Sequence, residues 1–192
     1  MVIHTEPKSK TTVASDILFA DYMIKWLSII KNSVEVDTYA GYVNNVKKRI
    51  APYFRELGVT LKSVTALDIE NFYSYCFNEL KLKGTTIQRF HANIHKAMKY
   101  AVKHDLIVAN TMNKVERPKG QKYTGSFYTV SELEELFEAT KGDPCEFPIL
   151  MAAFYGLRRS EIMGLRWQAI DFENNLITVD HTVVQCICDS VA

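Results

Sequence analysis

No uninterrupted apolar run in the sequence reaches the about 18 residues that a membrane-spanning helix needs, so a helical membrane protein is excluded. The opening MVIHTEPKSKTT is polar and lacks the charged-then-apolar pattern of a secretory signal; the expected location is the cytoplasm. Cysteine is scarce. The four, Cys76, Cys145, Cys186 and Cys188, include no CxxC pair, and Cys186 and Cys188 are too close for the usual redox or zinc spacing. The five histidines form no HExxH or paired Cys/His arrangement. Neither a metal nor any other cofactor is expected, and no small-molecule substrate or membrane partner is implied. There is no internal repeat and no low-complexity tract.

A strong net charge is also missing. The formal value of +1 says little about partners, because affinity for phosphates depends on where the positive charge lies. Its distribution is uneven. Residues 81–122 hold ten basic side chains against the two acids Asp105 and Glu116, whereas residues 132–146 reverse the sign with Glu132, Glu134, Glu135, Glu138, Asp143 and Glu146. With 192 residues, 47% of them apolar, the chain can bury a sizeable core, and the change of sign points to two units.

The first unit reads as all-helical. Leu18, Phe19, Tyr22, Met23, Trp26, Leu27 and Ile30 mark the buried face of a helix starting near Asp16. A second helix follows Asp37 as N-cap and stops at Gly58. Thr65, with Asp68 in the first turn, caps a third that ends before Gly84. Thr85 with Gln88 has the capping-box spacing for a fourth, running to about His104. Four helices joined by short loops make a small bundle.

The fourth helix carries the clearest functional signal. At about 100° per residue, Ile87, Phe90, Ile94, Ala97, Met98 and Ala101 share one arc, while Arg89, Lys96, Lys99 and Lys103 occupy an arc of about 80° on the other side. A one-sign stripe suits a helix laid along phosphates, each of which releases counterions when neutralised. A solvated helix face shows the same pattern. Lys47 and Lys48, next to Arg49, offer a second contact surface; Tyr39 and Tyr42 beside them read equally well as core. The following stretch TMNKVERPKGQKYTG reads as an interdomain linker, with Lys114, Arg117, Lys119 and Lys122 placed either to follow a DNA backbone or to keep it solvated.

A second unit opens with the capping box Thr129 to Glu132, followed by Leu133, Leu136 and Phe137 on one face. Pro148 suits the first turn of a further helix through Phe154. Gly156 then permits a sharp turn; Ser160 reads as the N-cap and Glu161 as the first turn of another helix. Arg158 is thereby held between two anchored helices, where its guanidinium can present a fork to a phosphate with Glu161 near enough to orient it. From Ala169 the residues become β-branched, and AIDF, the turn Glu173-Asn174-Asn175 and LITVDHTVVQCIC predict a hairpin or small sheet. An apolar strand near Val183 would lack sheet partners.

The segment GLRRSEIMGLRW, residues 156–167, resembles the first-arginine motif of the tyrosine recombinases, the family of phage and transposon integrases. The helical unit ending in AMKYAVKHDLIVAN is similar to that family's core-binding domain, and FYTVSELEEL resembles the opening of its catalytic domain. The resemblance implies a mainly α chain: a SAM-like four-helix core-binding bundle followed by a partial α+β integrase catalytic domain. The expected divisions are a polar segment 1–14, a DNA-binding domain 15–110, a linker 111–126 and the front of a catalytic domain 127–192.

The family chemistry so implied is attack of a tyrosine hydroxyl on DNA to give a 3'-phosphotyrosyl link, resolved by a 5'-hydroxyl and aided by electrostatic stabilisation of the phosphate. Arg158 matches the first catalytic arginine, supported by Glu161; Arg159 and Arg166 match no catalytic position. No tyrosine follows Tyr155 and no lysine or arginine follows Arg166, and His181 does not open an HxxR motif. The implied partners are double-stranded DNA, gripped through Lys47, Lys48, Arg89, Lys96, Lys99, Lys103, Lys119 and Lys122, and further recombinase protomers. The implied role is a DNA-binding recombinase fragment, inactive alone; the rival readings are a stand-alone DNA-binding regulator or competitor and a protein-interaction scaffold.

Overall fold

Punctuation and tertiary partners together decide where each helix begins and ends. A computed structural model describes residues 17–121 and 123–184. The chain divides into two units, residues 1–122 and 123–192.

In the first unit, α1 (Phe19–Ile30) begins after an isolated antiparallel bridge between Leu18 and Thr60. Asp16, the expected start, lies outside the described residues, and Ile17 and Leu18 are drawn into that bridge instead of the helix. The second expected helix is one rod in three pieces: α2 (Val36–Asn45), a π turn (Val46–Ile50) and α3 (Ala51–Leu57). Pro52 explains the break. It has no N–H for the carbonyl of Lys48 and its ring crowds that carbonyl, so the helix widens just ahead, with Ala51 N–H donating to the carbonyl of Val46. Gly58, at φ 70°, ends the rod in the left-handed conformation. Asp37 is not the N-cap. Glu35 holds that position, and the Asp37 carboxylate accepts from its neighbour Thr38 N–H inside the first turn.

The Thr65–Asp68 capping box opens α4 (Ala66–Asn78). Helix α5 (Gly84–Lys103) instead follows Lys83 without a side-chain cap, because the Gln88 amide expected to complete a box with Thr85 donates to the carbonyl of Pro118 at 2.7 Å. The four rods meet in a core of fully buried Phe19, Trp26, Phe54, Phe72 and Phe90. Ring contacts cross it from Phe19 to Phe54 (4.8 Å), Phe54 to Phe72 (5.4 Å) and Phe72 to Phe90 (5.9 Å), joining α1, α3, α4 and α5. Such pairs add about 0.5–1.5 kcal/mol each beyond area burial. The start of the segment expected as linker also enters this core: a 3-10 turn (Thr111–Lys114) buries Met112, and Val115 follows.

In the second unit, the Thr129–Glu132 capping box opens α6 (Val130–Ala139), whose Phe137 stacks on Phe154 of α7 (Glu146–Tyr155) at 5.6 Å. Gly156 (φ 65°) turns the chain into α8 (Arg159–Gly164). After a 3-10 turn (Trp167–Ala169), β1 (Ile170–Asp171) pairs antiparallel with β2 (Leu176–Ile177), Ile170 opposite Ile177. Asn175 supplies the positive φ of the turn, and the Asp171 carboxylate accepts from the Glu173 and Asn174 N–H groups. The sheet is shorter than expected. Residues 178–184 form no strand because they pass over α8: Val183 N–H donates to the Ser160 carbonyl, and a Cβ on Gly164 would lie 2.6 Å from the His181 carbonyl oxygen. Residues 185–187 of the expected strand, with Cys186 and Cys188, lie outside the described residues. Among the described residues no helix is long and apolar enough to cross a membrane.

Candidate nucleic-acid interface and arginine site

Helix α5 separates its two faces sharply. Ile87, Phe90, Ile94, Ala97, Met98 and Ala101 are buried, and the Ala97 carbonyl accepts from the Tyr22 hydroxyl at 2.7 Å, tying α5 to α1. Arg89, Lys96, Lys99 and Lys103 are exposed on the opposite side. Among the described residues none of these four has a carboxylate within ion-pair distance; the ion pairs present are Arg55–Asp21, Lys141–Glu138 and Arg158–Glu161. The stripe is therefore an uncompensated line of positive charge.

One of its members, Lys96, is placed by an aromatic neighbour. Lys96 Nζ donates to the Tyr42 hydroxyl at 3.3 Å and lies 5.1 Å from that ring's centroid, while the ring's other neighbour is Trp26 at 5.8 Å. Tyr42, read from sequence as either core or contact, is half-buried and serves as a platform that limits the rotamers of Lys96. Lys99 and Lys103 line an open cleft of about 620 Å³ with His95, Asn110 and Asn113. Lys47 and Lys48 are exposed on the π turn; Lys48 lines a different cleft of about 410 Å³, beside Arg49 and Tyr75. Lys119 is exposed, and Lys122 lies outside the described residues.

Sequence reasoning missed a cluster at the edge of the stripe. The Tyr73 hydroxyl and His91 Nδ1 are hydrogen-bonded at 2.9 Å, and the His91 ring stacks on His95 at 6.1 Å. Burial, then the nearby His95 and Arg117, hold His91 below its ordinary pKa. Its i, i+4 partner on the same helix face was the available signal; the contact to Tyr73, eighteen positions away, was not.

Arg158 stands at the N-cap of α8, the position expected for Ser160, which is instead inside the helix. The cause is Glu161. One oxygen of its carboxylate accepts from the Arg158 main-chain N–H at 2.7 Å and the other from the guanidinium at 3.0 Å. These bonds, the main-chain one first, hold the Glu161 carboxyl below the usual carboxylate range. The arginine side chain remains 82% exposed against 19% for its partner, so one edge of the guanidinium is fixed while its other donors face solvent. Arg166 is engaged by His181 and does not join this pair.

The sequence profile of the phage integrase N-terminal SAM-like domain matches residues 18–77. The tyrosine recombinase XerC-like protein of Caldanaerobacter subterraneus is 27% identical over 180 residues, covering 88% of this chain and 45% of that protein. The tyrosine recombinase XerC of Staphylococcus aureus is 28% identical over 124 residues, 62% of this chain and 41% of its own. The chain thus spans less than half the length of these relatives. Among solved structures, a lambda integrase dimer bound to a COC' core site superposes with TM-score 0.68 at 17% identity, covering 88% of this chain and 48% of that one. The Tn1549 transposon integrase in complex with circular intermediate DNA gives 0.70 at 21%, covering 86% and 55%.

Proposed function

We propose that this chain is a member of the tyrosine recombinase family and grips double-stranded DNA through the first unit, as the front part of a site-specific recombinase acting in the cytoplasm. The observation that carries the reading is the stripe of α5: four exposed cations with no carboxylate within 4.0 Å among the described residues, backed by a fully buried face that holds them in line. Lys47, Lys48 and Lys119 add positive charge elsewhere on the unit, and Lys122 is a further contact by sequence. In this reading most of the affinity is electrostatic and salt-dependent.

Arg158 is the proposed contact to the scissile phosphate, with Glu161 as its positioning residue. The guanidinium fork suits two phosphate oxygens, and the fixed main-chain bond to Glu161 removes part of the ordering cost of binding. The complete reaction, through a 3'-phosphotyrosyl intermediate and with further protomers on the DNA, is assigned to the longer protein. This polypeptide supplies no tyrosine after Tyr155 and no lysine or arginine after Arg166. Exposed Phe154, Tyr155, Trp167 and Phe172 in the second unit support its being part of a larger catalytic domain.

The filled core of the first unit favours a second reading, a stand-alone DNA-binding regulator or competitor of an integrase. Fluorescence anisotropy with labelled duplexes over a salt series tests DNA binding. Denaturing electrophoresis after incubation with nicked and intact DNA tests the chemistry: binding without a covalent adduct is expected, and an adduct formed by this polypeptide alone refutes its inactivity. Tight, sequence-specific binding by a monomer would favour the regulator.

A further inference from the structure

The segment after α5 is built along that helix. Asn110 Nδ2 donates to the His95 carbonyl at 3.3 Å, Met112 and Val115 enter the core, and Gln88 Nε2 donates to the Pro118 carbonyl at 2.7 Å. At Gly84 the approach is closer still. A Cβ there would lie 2.1 Å from the Lys119 carbonyl oxygen and 3.2 Å from its carbon, which only glycine permits. A Cβ on Gly120 would in turn meet the Gln88 amide at 3.1 Å. Contact positions on α5 fall from 95 through 88 to 84 as the segment advances from 110 to 119, so it runs antiparallel to the helix over about 17 Å.

Its track lies beside the stripe. At about 100° per residue, Gly84, Gln88, His91 and His95 form a narrow line between the buried face and the arc of Lys99, Lys103, Lys96 and Arg89. Lys114, Arg117 and Lys119 are all exposed on the segment seated against that line. Arg117 is close enough to His91 to depress its pKa.

We propose that residues 110–120 are a fixed second cationic rail for duplex DNA, locked parallel to the α5 stripe by the Gln88–Pro118 bond and the Gly84–Lys119 contact. The proposal rests on the DNA-binding reading above. It assigns Lys114 and Arg117 as preorganised phosphate contacts with Lys119, and makes Gln88 and Gly84 positioning residues that touch no DNA. A tethered but unlocked linker would lose much of this benefit, because each contact would carry the cost of ordering the chain.

The test uses the whole chain with Gln88→Ala, Gly84→Ala and the triple variant Lys114→Gln/Arg117→Gln/Lys119→Gln, alone and combined with Gln88→Ala. Strap opening is read as trypsin cleavage after Lys119, and folding as the thermal transition. Each lock variant is expected to speed that cleavage several-fold, weaken duplex binding by about tenfold near 0.15 M salt, and flatten the salt dependence by one to three units of slope. The triple variant should cost far less in the Gln88→Ala background than in the wild type. Gln88 is partly exposed, so its truncation leaves the core intact even where Gly84→Ala destabilises the fold. Unchanged cleavage in Gln88→Ala, or faster cleavage with unchanged DNA affinity, overturns the rail. Equal costs of the triple variant in both backgrounds also overturn it. Absence of salt-dependent duplex binding by the wild type refutes the underlying DNA reading, and the cleavage assay still reports separately whether the lock exists.

Discussion

Replacing Arg89, Lys96, Lys99 and Lys103 together by glutamine removes the stripe while leaving its helix intact. Glutamine is nearly as good a helix former as lysine or arginine. None of the four cations has a carboxylate within 4.0 Å among the described residues, so no ion pair is broken. Among the described residues the interaction lost is that of Lys96 with Tyr42, and stability should change by no more than about 1 kcal/mol. Binding should change far more. If each cation neutralises one phosphate, the set contributes about −3.6 to the slope of log K against log salt, or about two orders of magnitude between roughly 50 and 200 mM. Anisotropy titrations over that range measure both slope and intercept. A variant that keeps its thermal transition but shows a slope within about 0.5 of the wild type would falsify the assignment of α5 as the DNA-facing helix.

The remaining predictions concern stability and the arginine site. Phe72→Ala deletes a fully buried ring in contact with Phe54 and Phe90 and should cost about 3–5 kcal/mol; urea unfolding followed by Trp26 fluorescence in a Trp167→Phe background measures it, and a loss below about 1 kcal/mol contradicts the packing. His91 is held below its ordinary 6.5, so the unfolded chain takes up the proton more readily; the stability contributed by its neutral form is complete above about 6.5 and is lost as pH falls through the lower folded value. The same unfolding assay from pH 8 to 5 should show a decline that His91→Gln flattens, and an identical decline in both proteins removes His91 as the cause. Glu161 has a lowered carboxyl pKa, so its hold on Arg158 should persist through the usual carboxylate range and fail only at more acid pH, whereas Glu161→Gln should loosen the guanidinium at neutral pH; arginine side-chain NMR relaxation distinguishes the two.

What the sequence made legible was local. Thr65–Asp68 and Thr129–Glu132 form capping boxes because both members lie three residues apart, and Gly58 and Gly156 stop helices because a positive φ is a property of the residue itself. The buried and cationic faces of α5 follow from one period of about 3.6 residues. Errors arose wherever a local pattern had a distant competitor. Gln88 sits at the right spacing for Thr85 yet serves Pro118, thirty positions away. Ser160 is a good N-cap by type, but the two-oxygen grip of Glu161 on Arg158 places the cap two residues earlier. The β-branched run after β2 favours a strand by composition, and its passage over Gly164 and Ser160 leaves it unpaired. The first and last of these involve a glycine whose missing Cβ admits a carbonyl: Gly84 admits Lys119 and Gly164 admits His181. Both glycines look like weak points in a helix when read along the chain. In space, each lets a following segment lie against a helix: Gly84 at the start of α5, beside the cationic stripe, and Gly164 at the end of α8, the helix whose N-cap is Arg158. Close backbone approach, available to no other residue type, is thus the device by which the fold seats a following segment against each helix, and at α5 it sets the surroundings of the cationic stripe.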